Sequence, residues 1–496
     1  MLAESRLTKA ERALVEAVRS GAVLEGGNEI RAELIRDLLL GRHVDRPDPR
    51  GVQLSGARVV GALDLDFVQS PVRLRLADCE ITEIVTARSA RLSALDLDGS
   101  RLPAFHADRL RVDGNAFLRG VVANTDHPQG AVRLTGAHIA GNFEANGAVL
   151  TCTRGPAFMA DGLHVDLSVF LRRGFTAHSD DHHGTVRLIA ARVDGDLDLN
   201  HSTITNSAAS AVSARGAQVG GNVYLADNFT ASGAGPAASV VLHSANIGGM
   251  LLVSGELSNP GGPVLDLVHT RSTSVYLDDR LLCAETCDGR RKMRLAGFTY
   301  ASLDHTGWER WLHWIRHHTV DYAAQPYQQL AAVQRAAGHD AAARRVLITQ
   351  QEDLRDRGDL RSRPWGKLAH RAWGVVGGYG YRAGRTAVAL LVVLLMAGAA
   401  GVAAGQVPTS PGHYAAERTK NARAPHTPCS LVEQVGLGID RGLPLGATGL
   451  RDRCDLNTAT RQGQAFTVLI WLLQGAVWAL ATLAVAGYTG LIRKIT

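Results

Sequence analysis

Six cysteines in 496 residues, at positions 79, 152, 283, 287, 429 and 454, are too few and too scattered to staple a small disulfide-built domain. Lysine is scarce as well, and arginine supplies nearly all of the 53 basic residues. The net charge of +6 is small for this length, which argues against an extended nucleic-acid-binding face and leaves nucleic acid out of the expected partners. Its distribution is uneven: Arg361, Arg363, Lys367, Arg371, Arg382 and Arg385 fall in one stretch that contains no acid. The first residues, with Glu4, Glu11 and Glu16 among them, lack the basic-then-apolar order of a secretory signal. No motif that binds a cofactor or carries out a reaction stands out, so no cofactor is expected.

What is present is a repeat. From residue 51 to residue 303 a seven-residue pattern returns about every 27 residues, placing small residues between one aliphatic residue and a second, alternating apolar pair. It runs through residues 59–65, 112–118, 139–145, 165–171, 193–199, 219–225 and 247–253, with weaker copies at 271–277 and 297–303. The interval between the first two copies is about double the others, as if one degenerate copy lay between them. Val193, Leu197 and Leu199 show the spacing, whose last pair alternates as on one face of a strand. Recurring Gly, Asn and Asp argue against a helix, and pairs such as Asp194-Gly195 mark turns. Two residues before each copy stands a small residue, as at Ala57, Ala137, Ala191, Ala217 and Ala245. The expectation is a mainly β fold, a right-handed parallel β-helix of about 27 residues per coil, spanning residues 49–304.

Ala191-Arg192-Val193 and Ala217-Gln218-Val219 resemble the small-x-aliphatic core of pentapeptide-repeat-like and other right-handed β-helical proteins. A coil of about 27 residues exceeds four pentapeptides, so one side must carry a longer strand or loop; residues 178–184 and 231–236 are the candidates.

Residues 1–48 read as a helical cap, with helices over 8–19 and 30–40 and an apolar stripe of Ile30, Leu34, Ile35, Leu38 and Leu39. Residues 305–385 read as a helical connector and basic juxtamembrane segment, in which Thr306 and Glu309 look like a capping box. Residues 386–405 and 465–490 contain no charge and are long enough to cross about 30 Å of hydrocarbon. The basic flanks place both termini in the cytoplasm, residues 406–464 outside, and a tail within 465–496 inside again. Cys429 and Cys454 would then face an oxidising space and could pair. The runs 430–434, 478–482 and 486–494 are similar to those of uncharacterised bacterial proteins that join a repetitive N-terminal domain to two spans, sometimes labelled membrane-associated oxidoreductases. That resemblance implies a layout and no mechanism.

Gly378, Gly380 and Gly384 resemble the glycine fingerprint of a dinucleotide fold, but a membrane span follows and no acid occurs before Glu417. His313 and His317 share the i, i+4 spacing of a metal pair, without the HExxH carboxylate. His178 and His182, with Asp180, Asp181 and His183, could gather in one loop, for which a solvated loop is the simpler account. Cys283 and Cys287 show no second ligand pair in zinc spacing, so no metal is expected. Asp64, Asp196 and Asp198 suit outward positions between apolar residues. Trp365 and Trp373 interleave with Arg361, Arg363, Lys367, Arg371, Arg382 and Arg385 in the manner of a segment lying on anionic lipid. Ala397, Gly401 and Gly405, and Gly475 with Ala479, stand at four-residue steps that let membrane helices approach, pointing to a protein partner or homo-oligomer. The expected function is a membrane-anchored β-helical scaffold or interaction protein of the bacterial cytoplasmic membrane. A channel with a cytoplasmic sensor and a membrane-associated oxidoreductase are the alternatives.

Overall fold

The computed structural model describes residues 7–283, 287, 290–362, 364–381, 383–419, 427–443, 449 and 452–488, apart from the side chains of 360, 361, 380, 383 and 486–488. It divides into two compact units, Met1–Val346 and Leu347–Thr496.

The first unit is a parallel β-solenoid. Each coil contributes short strands to three parallel sheets, and the largest sheet takes two strands from most coils, one on either side of a bend. Like residues stack on like: Val193 on Val219, Leu197 on Val223, Ile204 on Ala231 and Val212 on Val240. Val193, Leu197 and Leu199 are buried, as is the small-residue column Ala57, Ala137, Ala191, Ala217 and Ala245. These columns fill the interior, so burial of aliphatic side chains in stacked ladders is the main stabilising term.

Coil length changes along the rod. Paired residues Arg58, Glu80, Arg101 and Val122 stand 21 or 22 residues apart, whereas Val122, Val149, Thr176, Thr203 and Thr230 stand 27 apart. The added residues lengthen one side: the two-residue strands Glu80–Ile81 and Arg101–Leu102 give way to Val122–Thr125, Val149–Cys152, Thr176–Ser179 and Thr203–Asn206. Residues 178–184 and 231–236 lie on this longer side. The earliest copy of the repeat was therefore out of register. Val59 pairs with Ile81 in one sheet and Val112 with Leu92 in another, so residues 59–65 and 112–118 are not equivalent.

A polar ladder explains the glycines of the repeat. The Asn115 Oδ1 accepts the Asn142 N–H at 2.8 Å, Asn142 Oδ1 that of Ser168 at 3.1 Å and Ser168 Oγ that of Asp196 at 3.0 Å. Asp196 Oδ1 then accepts from Asn222 at 2.7 Å and Asn222 Oδ1 from Met250 at 2.8 Å. Each side chain occupies the space where the next coil's preceding residue would place its Cβ. A Cβ on Gly141, Gly195, Gly221 or Gly249 would overlap Asn115, Ser168, Asp196 or Asn222 respectively. The glycine is required by this close approach. The aspartates expected at outward positions are structural: Asp196 is a rung, Asp198 accepts from Arg172 at 2.7 Å, and Asp64 pairs with Arg36.

The N-terminal cap contains α1 (Lys9–Ser20) and α2 (Ala32–Leu39). Ile30 is not helical: it lies in the strand Glu29–Arg31 and pairs with Val59, so the first coil begins inside the cap. Pairing with a waiting sheet edge outweighed its place in the apolar stripe. The cap is fastened by Glu11, fully buried, which accepts from Arg31 Nε at 2.7 Å, Arg31 Nη2 at 2.6 Å and Thr8 N at 2.9 Å. The Arg31 hydrogen bonds hold its carboxyl down at about 2. A depressed carboxyl contributes stability in full above the unfolded value near 4.5, and loses it as pH falls toward 2. Glu11→Gln is expected to cost about 2 kcal/mol at neutral pH. Hydrogen exchange over α1 should show this loss, and the gap between variant and parent should narrow at pH 3. An equal gap at both pH values would remove Glu11 as the fastener.

At the other end, α3 (Trp308–His317) and α4 (Gln325–Ala336) close the last coil. Trp311 is buried against Phe298 and Tyr300, and Trp314, also buried, against Trp311. Gln325 accepts from the Gly297 N–H at 2.8 Å and donates to the Phe298 carbonyl at 2.9 Å, and Gln329 donates to the Tyr300 carbonyl at 2.6 Å. These side chains satisfy strand-edge groups that would otherwise invite another chain. The proposed capping box at Thr306 is not formed. Gly307 is the N-cap, and Thr306 donates instead to the Leu277 carbonyl.

α5 (Asp340–Arg357) runs to the second unit, which continues with α6 (Pro364–Gly377), α7 (Ala383–Gln406), α8 (Leu431–Gly442) and α9 (Arg461–Tyr488). α7 and α9 are long and apolar enough to cross a membrane, and Leu391, Leu395, Trp471 and Leu472 on them point outward. Residues 406–464 are more than a simple connection. They include α8 and a short antiparallel pairing of Ala416–Arg418 with Cys454–Leu456, and Cys429 and Cys454 form a disulfide. α8 lies antiparallel against α7: a Cβ on Gly401 would meet the Gln434 carbonyl, and one on Gly438 the Ala397 carbonyl. The small-residue steps at Ala397, Gly401 and Gly405 thus serve a contact within the chain, which removes them as evidence for an oligomer. Gly475 on α9 has open space around it.

Candidate functional site

Two clusters of side chains go beyond packing. The first is the bend between α6 and α7, built by a left-handed corner in which Gly378 has φ 53° and Tyr379 φ 56°. Tyr379 turns inward, buried, with its ring 4.7 Å from His370 and 5.7 Å from Trp373. A Cβ on Gly374 would strike the Tyr379 phenol, so this corner needs glycine on the preceding helix as well. Arg355 Nη1 donates to the Tyr379 hydroxyl at 3.4 Å, and His370 Nε2 lies 3.2 Å from Gln351 Oε1 on α5. Burial, then the charge of Arg355, holds the His370 imidazole below its usual range, and burial raises the Tyr379 phenol. Both are therefore neutral near pH 7.

The glycines that resemble a dinucleotide fingerprint sit in this bend. Gly378 and Gly380 lie in a single 3-10 turn that follows a helix, not a strand, and Gly384 is in the first turn of α7. No strand–turn–helix cradle for a pyrophosphate is formed here.

α6 is two-faced. His370, Trp373 and Gly374 meet the Tyr379 corner, whereas Trp365 is 83% exposed, Leu368 60% and Val375 69% on the opposite side. Arg371 is exposed and Lys367 half-buried on the same helix. A cavity of about 280 Å³ opens beside the corner, lined by Glu352, Arg355, Arg371, Tyr379 and Arg385 among others. Arg355 is paired with Asp356 at 3.1 Å, while Arg371 and Arg385 have no ion-pair partner among the described residues. Arg363 and Arg382 lie outside the described residues, and Arg361 is placed only by its backbone. An exposed apolar stripe, adjoining guanidinium groups and a membrane-length helix immediately after them suit an anionic headgroup.

The second cluster lies at the closing end of the solenoid. Cys283 and Cys287 are joined by a disulfide. Cys287 Sγ is 3.1 Å from His313 Nε2 and 3.3 Å from His318 Nε2, and Cys283 Sγ is 3.5 Å from His318 Nε2. His318 is fully buried, and its Nδ1 donates to the Arg291 carbonyl at 2.9 Å, so the lone pair of Nε2 faces the sulfurs. His317, the expected partner of His313, is exposed, with its ring 4.7 Å from that of His313. The sequence signal was the five-residue step from His313 to His318. It was missed because α3 ends at His317, and His318, the C-cap, leaves helical periodicity.

Among the described residues, His178 and His182 join no such group. His178 is held by Thr205 at 2.8 Å and Asp180 at 3.3 Å, and His182 is exposed. On the outer face His138 and His164 stack at 4.6 Å, with Asp166 bonded to His138 at 2.8 Å and 3.3 Å from His164 Nε2, one step in a column continuing through Arg192. Compared with known proteins, the chain matches no family model, no curated protein and no solved structure.

Proposed function

We propose that the protein is a membrane-anchored scaffold or interaction protein of a bacterial cytoplasmic membrane, displaying its solenoid in the cytoplasm and gripping anionic lipid through α6. The observation that carries this reading is the exposed stripe of Trp365, Leu368 and Val375 beside Arg371, on the helix that leads into a membrane-length span. The outer faces of the solenoid support a binding role, because their polar side chains are organised in columns. The disulfide between Cys429 and Cys454 supports an oxidising side for residues 406–464. Impermeant thiol reagents should accordingly reach cysteines engineered there and none engineered in the solenoid.

Lipid binding is tested with the full-length protein in nanodiscs of phosphatidylglycerol or phosphatidylcholine. Hydrogen exchange over residues 364–377 should be slower in the anionic discs, and salt should weaken that difference. At about 1 kcal/mol per charge, replacing Lys367, Arg371 and Arg385 together with Gln should reduce the protection at least tenfold. Equal exchange in the two lipids at low salt would sink the membrane-surface role of α6.

A further inference from the structure

We infer that Cys283, Cys287, His313 and His318, in their dithiol form, hold a structural zinc ion that ties the closing helix α3 to the last part of the solenoid. Four potential ligand atoms, one from each residue, lie within 4.8 Å of one another. In a tetrahedral site with ordinary Zn–S and Zn–N bond lengths, sulfur and nitrogen ligands stand about 3.5 Å apart. Three of the four sulfur–nitrogen distances here are 3.1, 3.3 and 3.5 Å. The two sulfurs are bonded and so too close, and breaking their bond lets them separate to about 3.8 Å.

The surroundings fit a metal better than they fit a disulfide. A disulfide sulfur is a weak acceptor with no proton to donate, so it gives little reason for two imidazoles to gather around it. Two thiolates and two imidazoles are a donor set that favours tetrahedral zinc. Cys-x3-Cys and His-x4-His fall within the ligand spacings of structural zinc sites. The Arg291 carbonyl bonded to His318 Nδ1 supplies the outer contact that fixes the tautomer and aims Nε2 inward. All four positions are filled by protein, which leaves no open coordination site and assigns a structural role.

The chemistry balances. A dithiol reductant breaks the Cys283–Cys287 bond by two-electron transfer and closes a disulfide of its own. Each released thiol then loses its proton to solvent as zinc binds, so two thiolates neutralise the divalent ion. Cytoplasmic placement of the solenoid, as proposed above, supplies the reducing compartment, and the inference rests on that reading for its setting in the cell.

The test uses the full chain purified in detergent, reduced with a phosphine and exposed to zinc or cobalt. About one zinc per chain is expected, with the cobalt form showing the visible bands of a tetrahedral thiolate site. Cys287→Ser and His313→Ala should each weaken zinc at least tenfold against a chromophoric chelator, whereas His317→Ala should leave affinity unchanged. Proteolysis of α3 should accelerate when zinc is removed from the parent and stay constant in Cys287→Ser. A reduced parent that binds no zinc overturns the inference, as does unchanged affinity when both cysteines become Ser, or loss in His317→Ala. Preference for iron or copper on the same ligands overturns the choice of metal. Metal binding by purified protein does not involve a membrane, so its failure is distinct from labelling of the solenoid by an impermeant reagent.

Discussion

Leu197→Asp is expected to unfold its coil and the two beside it. Leu197 is 3% exposed and stacks between Val169 and Val223, so the new carboxylate would sit in an aliphatic column without a partner. The loss of apolar burial and the desolvation of the charge together cost at least 4 kcal/mol, a large part of the stability of an ordinary domain. In a solenoid each coil contacts mainly its neighbours, so the damage should be local. Hydrogen exchange on the full-length protein should lose protection around residues 169–171, 197–199 and 223–225 and keep it near the N-terminal cap. Asp196→Asn, one residue away, keeps a carbonyl for the Asn222 N–H and should change stability by less than about 1 kcal/mol. Asp196→Ala abolishes that rung and should cost about 1 to 2 kcal/mol. Equal tolerance of Asp at 197 and Asn at 196 would reject the inward and outward assignment of the repeat.

The repeat was legible because burial imposes its own period. Val193, Leu197 and Leu199 face the interior, and a chain that must fill a stacked core repeats those choices at each coil. What the residues do not announce is which sheet a copy belongs to. Residues 59–65 look like residues 112–118 because bends between short strands call for the same chemistry wherever they occur, yet Val59 and Val112 lie on different sides of the coil. Gly221 illustrates a second limit. It reads as a turn residue, but its φ is not in the left-handed range, and it is small because the Asp196 side chain of the preceding coil lies against it. Contacts across a coil of this length have no signature in the local sequence.

The two clusters differ in the same way. The lipid contact proposed for Lys367, Arg371 and Arg385 with Trp365 draws on composition, since lipid attraction depends on charge and aromatic content more than on exact geometry. The Cys283, Cys287, His313 and His318 set depends on a fold that brings a C-cap histidine back to a loop from the preceding part of the chain, and on the strand contact of Met293 with Thr319 that fixes the return. His317 was the better choice by helical spacing and the wrong one in space. In residues 406–464 the capping box of Ser430 and Glu433 starts α8, but its packing on Gly401 is set by tertiary contact.

Trp311→Ala is expected to have the other large effect, through the end of the solenoid. Trp311 is 1% exposed, with ring contacts to Phe298, Tyr300 and Trp314, and its removal should leave a cavity costing about 3 to 5 kcal/mol. α3 and α4 would then detach more readily, withdrawing Gln325 and Gln329 from the edge groups of Gly297, Phe298 and Tyr300. An uncovered parallel edge is a template for another chain, so the loss of stability should come with association. In detergent at fixed micelle composition, the variant should sediment as larger species with rising protein concentration, while the parent stays unchanged over the same range. Trp311→Phe retains most of the apolar contact and should remain close to the parent. Gln325→Ala separates the two causes, because it removes edge satisfaction while sparing the aromatic cluster, and should promote association with a stability loss of only about 1 kcal/mol. Destabilisation by Trp311→Ala without any concentration dependence, together with a silent Gln325→Ala, would show that the helices support the last coil by packing alone and that its edge needs no cover.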